Sequence, residues 1–429
     1  MEKIILPKID ETIYKEVLDN GLTIYIYKKP GFQKKYAYFQ TKYGSINNVF
    51  VPHGKKEYRK VPLGIAHFLE HKLFESNTDE SIFEGFEKDG AYVNAATSYN
   101  KTYYYFNTVD NFDSCLIRLI DFVQSPYFTD DNVEKEKGII NQEIDMRDDD
   151  PDGYLYKKIV ENALLKSQYK YDVGGTKQEV GKITKEDLYE CYNTFYHPSN
   201  MYLVIAGDID VNHTINIIKN NQSKKAYKST QAIKQKTFKE PDEVEVKEDK
   251  KTHNVVSKKV GFAYKMNFDL KTDEEKYKFS SYLNCFFRIL FGETSDFEEN
   301  LIKDGIVKSY FDSFMQRYDN ENTTYLVFFV ADSDDEELLR KKVEEKLKDR
   351  SNLKKMFELY KKLLIASFVR KFESLEMCVS YIRTFGIEYD LLDKYYDIIN
   401  KSNYEEFIET INKLHFDTYT KLVLDKKEK

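Results

Sequence analysis

Five consecutive positions constrain this 429-residue chain more than any others: His67-Phe68-Leu69-Glu70-His71. The segment around them, 64–74, carries Ile65, Phe68, Leu69 and Leu73 at helical spacing, so the five residues are expected on a helix. Residues i and i+4 are neighbours on one helix face. His67 and His71 can therefore offer two imidazoles to one metal ion. Glu70, three positions after His67, lies close to the same face and can reach a water on that metal without itself ligating it. With 7 histidines in the chain, this pattern arises by chance roughly 0.01 times. An accidental pair of surface histidines is therefore a poor explanation.

Zinc suits such donors, because it accepts imidazole nitrogen and carboxylate oxygen in tetrahedral geometry. Two histidines still need a third protein ligand. A predicted helix over 131–146 supplies two candidates, Glu136 and Glu143, two helical turns apart on one face. A structural zinc site would be closed by four protein ligands and rich in Cys. The four cysteines, Cys115, Cys191, Cys285 and Cys378, are scattered and form no CxxC pair; they read as reduced, buried thiols. The remaining histidines (His53, His197, His213, His253 and His415) show no paired spacing and read as surface or capping residues. Phosphate-loop, dinucleotide and serine-hydrolase motifs are absent.

Charge narrows the field further. Lys+Arg total 66 against Asp+Glu 73, a net charge of −7, which argues against nucleic acid as a partner. No apolar run approaches the ~18 residues of a membrane span. The apolar stretch Ile4-Ile5-Leu6 is too short for the core of a signal peptide, so the expected compartment is the cytoplasm.

Periodicity gives the organisation. Strands are expected over 22–30, 35–43 and 200–206, and as a pair over 91–109 turning at Ser98–Lys101. Helices are expected over 79–88, 112–124, 131–146, 153–165 and 184–195. From 218 to 252 the chain is rich in Lys, Gln, Ser and Glu and reads as a solvated linker or hairpin. Beyond it, strands over 260–266 and 324–331 alternate with helices over 272–291, 334–348, 353–371, 374–385 and 403–415. That order echoes the first half. The expected domains are thus 1–217, which holds the metal motif, a linker 218–252, and a related unit 253–429 without the motif.

The H-x-x-E-H order is that of the inverzincins, and the chain resembles the pitrilysin/insulinase-type zinc metallopeptidases, which include the mitochondrial processing peptidases. The likeness points to their half-length bacterial branch, the YmfH-like proteins. It rests on Asn20-Gly21-Leu22, Gly44-Ser45, Gly64-Ile65-Ala66 before the motif, Gly90-Ala91, Asn94-Ala95-Ala96-Thr97, the stretch around Glu136 and Glu143, Gly175-Thr176, segment 195–210 and segment 289–307. The resemblance implies an α+β fold. Each of two homologous domains would be a mainly antiparallel sheet with helices packed on one face, and together they would form half of a clamshell. It implies His67, His71 and Glu143 as ligands of one zinc ion per chain, Glu70 as the general base, and Glu136 as a supporting carboxylate. Asn94, Ala95 and Ala96 would lie on an edge strand that pairs with a peptide substrate.

The implied activity is a zinc endopeptidase acting on unfolded peptides or leader segments, for peptide maturation or for general clearance. A noncatalytic peptide-binding or assembly subunit of a heterodimeric peptidase is the rival. Because the family's chamber takes four such domains, the implied partner is a second copy or a related subunit without the zinc motif. The family's substrate-holding Arg/Tyr pair has candidates in Arg317 with Tyr318 or Tyr325.

Overall fold

Alternating β-branched, aromatic and polar residues put fourteen strands into the described part of the chain. A computed structural model describes residues 1–77, 81–227, 230 and 232–427. In chain order the strands are β1 (Glu2–Leu6), β2 (Glu11–Val17), β3 (Thr23–Lys28), β4 (Lys35–Thr41), β5 (Val49–Phe50), β6 (Arg59–Lys60) and β7 (Tyr92–Thr97). They continue as β8 (Thr102–Thr108), β9 (Met201–Gly207), β10 (Glu248–His253), β11 (Lys259–Phe268), β12 (Phe311–Asp319), β13 (Thr323–Asp332) and β14 (Tyr419–Lys426).

The first sheet has the order β1-β2-β3-β9-β4-β8-β7. Only β3 and β9 run parallel; the other neighbours are antiparallel. The second sheet has the order β10-β14-β11-β13-β12, with β10 and β14 parallel and the rest antiparallel. Strands β10 to β14 thus repeat the course of β3, β4, β7, β8 and β9. The repeat suggested by the order of elements in the sequence is present as a repeat of topology. The first sheet adds the β1–β2 hairpin, whose charged sequence gave no clear strand signal, and β5 with β6 form a separate small ribbon.

Each sheet buries one face under helices from its own half. Five helices of the first half are α1 (Ile65–Lys72), α2 (Ile82–Lys88), α3 (Phe112–Val123), α4 (Asp130–Asp149) and α5 (Pro151–Ala163). The helix expected over 79–88 begins at Ile82, and residues 79 and 80 lie outside the described residues. Ala37, Phe39, Leu203 and Ile205 of the first sheet share a core with Phe68 and Leu69 of α1 and Leu116, Leu119 and Ile120 of α3. Each fully buried side chain of this size contributes about 1.5–3 kcal/mol. In the second sheet Val260, Phe262, Val327 and Phe329 pack with Leu283, Phe286 and Leu290 of the helix Asp273–Phe291. That helix starts with a capping box between Thr272 and Glu275.

The opposite faces are not bare. On the first sheet the Tyr25 hydroxyl donates to the carbonyl of Gly386 at 3.1 Å, Tyr27 meets Phe372 edge-on, and Arg383 donates to Gln40 at 3.0 Å. On the second sheet α5 comes so close that a Cβ on Gly261 would lie 2.5 Å from Ile159 Cδ1. The compact units are accordingly discontinuous. One is Met1–Ile144 with Tyr171–Lys236 and Phe368–Asp393; the other is Asp145–Lys170 with Thr237–Ser367 and Lys394–Lys429. A linear division at 217 and 253 misses this, because the residues that cover a sheet's second face come from the other half of the sequence.

The described part of 218–252 is also not a solvated tether. The helix Val211–Gln222 runs into it, Val51 N–H donates to the Lys234 carbonyl at 2.9 Å, and Glu240 is 1% exposed. The carboxylate of Glu240 accepts from the backbone N–H groups of Leu165, Lys166 and Ser167 and from the buried Lys265 ammonium at 2.7 Å. The region's charge content misled because these charges are paired inside the fold, and β10 gains a parallel partner in β14.

Candidate metal centre

Helix α1 begins at a point where only glycine fits. Gly64 has φ +84° and its Cβ position lies 2.4 Å from the carbonyl oxygen of Gly174. This close approach fixes where the helix starts and so how its face is turned. His67 and His71 then stand one turn apart, with ring centroids 4.6 Å apart.

Helix α4 brings Glu143 across from them. Its Oε2 lies 3.5 Å from His67 Nε2 and 3.8 Å from His71 Nε2. One ligand atom from each of the three residues falls within 4.8 Å of the others. A tetrahedral zinc with bonds of about 2.0–2.1 Å sets its ligands about 3.3–3.4 Å apart, so the three side chains are somewhat wider than a closed coordination shell and near enough to form a candidate metal site. Two imidazoles and one carboxylate leave the fourth corner open. The cysteines are all buried elsewhere as free thiols, with those of Cys115, Cys191 and Cys378 pushed up to about 12 by burial.

The two glutamates on α4 take different positions. Glu136 Oε1 lies 2.9 Å from His71 Nδ1, on the side of the ring away from Glu143. Burial would raise the Glu136 pKa, but the hydrogen bond and charge of His71, together with the Lys72 ammonium, outweigh it and hold the carboxyl below its usual value. Burial would likewise lower the His71 pKa; the Glu136 hydrogen bond and the charges of Glu70, Glu136 and Glu143 turn the shift upward in the metal-free protein.

Glu70 is 7% exposed and its Oε2 accepts a hydrogen bond from Thr97 Oγ1 at 2.7 Å. Thr97 ends β7, the outermost strand of the first sheet. Asn94, Ala95 and Ala96 lie on this same strand. The Ala95 N–H is turned off the ladder with β8 and bonds the Asn94 side chain at 2.8 Å. The open sheet edge and the carboxylate of Glu70 are therefore one side chain apart.

The Arg/Tyr candidates are placed less favourably. Arg317 sits on β12 opposite Tyr325 of β13 and pairs with Asp319 at 2.9 Å. Tyr318 and Tyr325 are both fully buried, and their hydroxyls meet Tyr156 and Ser280. Sequence reasoning gave no role to Thr97 or to Lys72. Strand alternation could have found Thr97, since it puts 93, 95 and 97 on the helix side. A buried lysine at position 72 has no local signature.

A repeated α+β fold with a His–His–carboxylate cluster in one repeat describes a two-domain metallopeptidase scaffold. The chain belongs to the insulinase family, peptidase family M16: that family's model matches residues 40–177, and the model for the peptidase M16 inactive domain matches residues 182–362. It is 46% identical over 304 residues to the Bacillus subtilis protein YmfH, called an uncharacterized zinc protease, covering 71% of each chain. A solved structure described as M16-like, from Alicyclobacillus acidocaldarius, superposes with a TM-score of 0.87 at 29% identity, over 97% of this chain and 98% of that one. The fold also matches the Escherichia coli periplasmic protease PqqL at a TM-score of 0.69 and 17% identity, over 97% of this chain but only 48% of PqqL.

Proposed function

We propose that this protein is a zinc-dependent endopeptidase that cuts peptides bound as an added strand. The observation that carries this reading is Glu70: a buried carboxylate beside the His67–His71–Glu143 cluster, hydrogen-bonded to the strand that forms the sheet's open edge.

The substrate pairs in extended form with β7. Main-chain hydrogen bonds to Ala95 and its neighbours supply affinity that depends little on sequence, and the Asn94 amide gives up the Ala95 N–H to the incoming backbone. His67, His71 and Glu143 would hold a zinc ion, which when bound would supply a water of pKa about 7 and a Lewis acid for the scissile carbonyl. Glu70 takes the proton from the attacking water and returns it to the leaving amine. Thr97 keeps the Glu70 carboxylate aimed, and Glu136 keeps the His71 ring turned so that Nε2 faces the cluster.

Such a site requires unfolded peptides or flexible leader segments. Removal of a leader from a ribosomally made peptide and general peptide clearance both meet that requirement. The partner we propose is a second chain of the same family, either another copy or a related subunit without the zinc motif. No helix among the described residues is long and apolar enough to cross a membrane, and the location we propose is the cytoplasm, where four scattered, buried cysteines stay unpaired.

The test is cleavage of a mixed set of unstructured peptides by the purified chain, with Glu70→Gln beside it and zinc measured on both. The expected result is about one zinc per chain in each and a rate about 10²–10⁴-fold lower in the variant. A wild type that holds zinc and cuts nothing, alone or with a related subunit, would favour the assembly-subunit reading. Zinc in neither sample contradicts both the ligand set and the activity.

A further inference from the structure

Lysine is among the residues least often fully buried, and when buried it is paired. Lys72, directly after the second histidine of the motif, has a side chain that is 0% exposed. Its ammonium contacts Glu75, three residues on and past the end of α1, and lies 3.5 Å from Glu136 Oε2. The Glu75 side chain is 40% exposed and can be satisfied by water, so it gives no reason to bury a lysine. Glu136 is different. It is buried, and its two oxygens are divided between His71 Nδ1 and Lys72 Nζ.

We propose that Lys72 is a positioning residue for the metal centre, pinning one oxygen of Glu136 so that the other holds His71 with Nδ1 protonated and Nε2 free to ligate. This rests on the reading of His67, His71 and Glu143 as zinc ligands. A buried carboxylate with one partner can turn about its terminal bond, and the direction of the hydrogen bond it offers the ring then varies with the turn of its plane. With the ammonium on Oε2, only Oε1 is left for the ring. The tautomer and orientation of His71 are set in turn, which is how outer groups tune a metal ligand. Because Lys72 contacts neither the ligand atoms nor the open corner, it acts wholly through Glu136.

A rival role makes the opposite prediction. If Lys72 were only a positive charge near the site, removing it would tighten binding of a cation. The experiment is a zinc titration against a chromophoric chelator on the wild type, Lys72→Met, Glu136→Gln and the double variant. Lys72→Gln stands in if the Met variant does not fold. Ring ¹⁵N NMR of His71 is read on the same samples. Zinc binding is expected to weaken about 10–100-fold in Lys72→Met. The double variant should bind about as Glu136→Gln does alone, and the His71 ring should lose its single Nδ1–H form. Unchanged or tighter zinc binding in Lys72→Met, or losses that multiply in the double variant, would overturn the role of Lys72 while leaving the ligand set intact. A wild type that takes up no zinc would instead overturn the ligand set, and this inference with it.

Discussion

The helix that follows β4 in the first unit and the helix that follows β11 in the second occupy the same place in the repeat, yet bury different things. The first, Ile65–Lys72, is 8 residues long and buries His67, Glu70 and Lys72 beside Phe68 and Leu69. The second, Asp273–Phe291, is 19 residues long and buries Phe279, Tyr282, Leu283, Phe286 and Leu290. The open edges differ in the same sense. Strand β7 carries the small residues Asn94, Ala95, Ala96 and Thr97, which leave room for another backbone, whereas β12 carries Phe314, Met315, Gln316 and Arg317. Even the two most deeply buried lysines among the described residues diverge. Lys72 shares Glu136 with a histidine of the cluster, while Lys265 shares Glu240 with three backbone N–H groups. One topology thus carries two different linings, and the short polar helix with its small-residue edge is what sets the first unit apart.

The sharpest way to break this contrast lies in the second unit. Glu240→Ala leaves Lys265 buried without its carboxylate and is expected to cost about 3–5 kcal/mol of stability, measured by denaturant unfolding, with zinc content unchanged. Burial would raise the Glu240 pKa, but Lys265 and the N–H groups of Leu165 and Lys166 outweigh it and hold it below 4.5. A carboxyl depressed on folding contributes stability that is present above its unfolded value and is lost as pH falls through the folded one. The difference between variant and wild type should therefore be full at neutral pH and close progressively below about pH 4. Loss of zinc in Glu240→Ala would show that the clamp also serves the metal.

A smaller effect sharpens the role of the edge. Thr97→Val removes a hydrogen bond to a charged group, worth about 1.5–3 kcal/mol, so peptide cleavage should fall roughly 10–100-fold. Zinc content should stay at the wild-type level. An undiminished rate would leave Glu70 positioned by something other than β7. Smaller still is the effect of N-methylating one backbone amide of a bound peptide. Losing a single main-chain hydrogen bond should raise Kd roughly 2- to 10-fold at alternate positions and leave the intervening ones unaffected. A uniform response along the peptide would argue against strand addition.

Much of the candidate site's geometry was legible in the sequence because its spacing is local. The helical spacing of His67, Glu70 and His71, the two-turn spacing of Glu136 and Glu143, and the alternation of β7 and β8 all appear in the structure. Between the two carboxylates spacing alone left the choice open, and the geometry separates them: Glu143 faces both Nε2 atoms and Glu136 the far side of His71. What was not legible is non-local. Nothing near Leu155 or Ile159 announces that they cover Gly261, and nothing near Arg383 announces Gln40 as its partner. The charged run after 218 looked solvated because the partners of the Glu240 carboxylate lie 25 to 75 positions away. Lys72 was hidden for the same reason, since its meaning comes from a helix that begins more than fifty residues later.

The most direct test of the account is the zinc stoichiometry of the purified chain, measured by elemental analysis on the wild type and on His67→Ala, His71→Ala and Glu143→Ala. One zinc per chain is expected in the wild type, although the topology occurs twice, with near-complete loss in each variant and the fold retained by circular dichroism. Two zinc ions per chain, or a zinc that survives these substitutions, would contradict it.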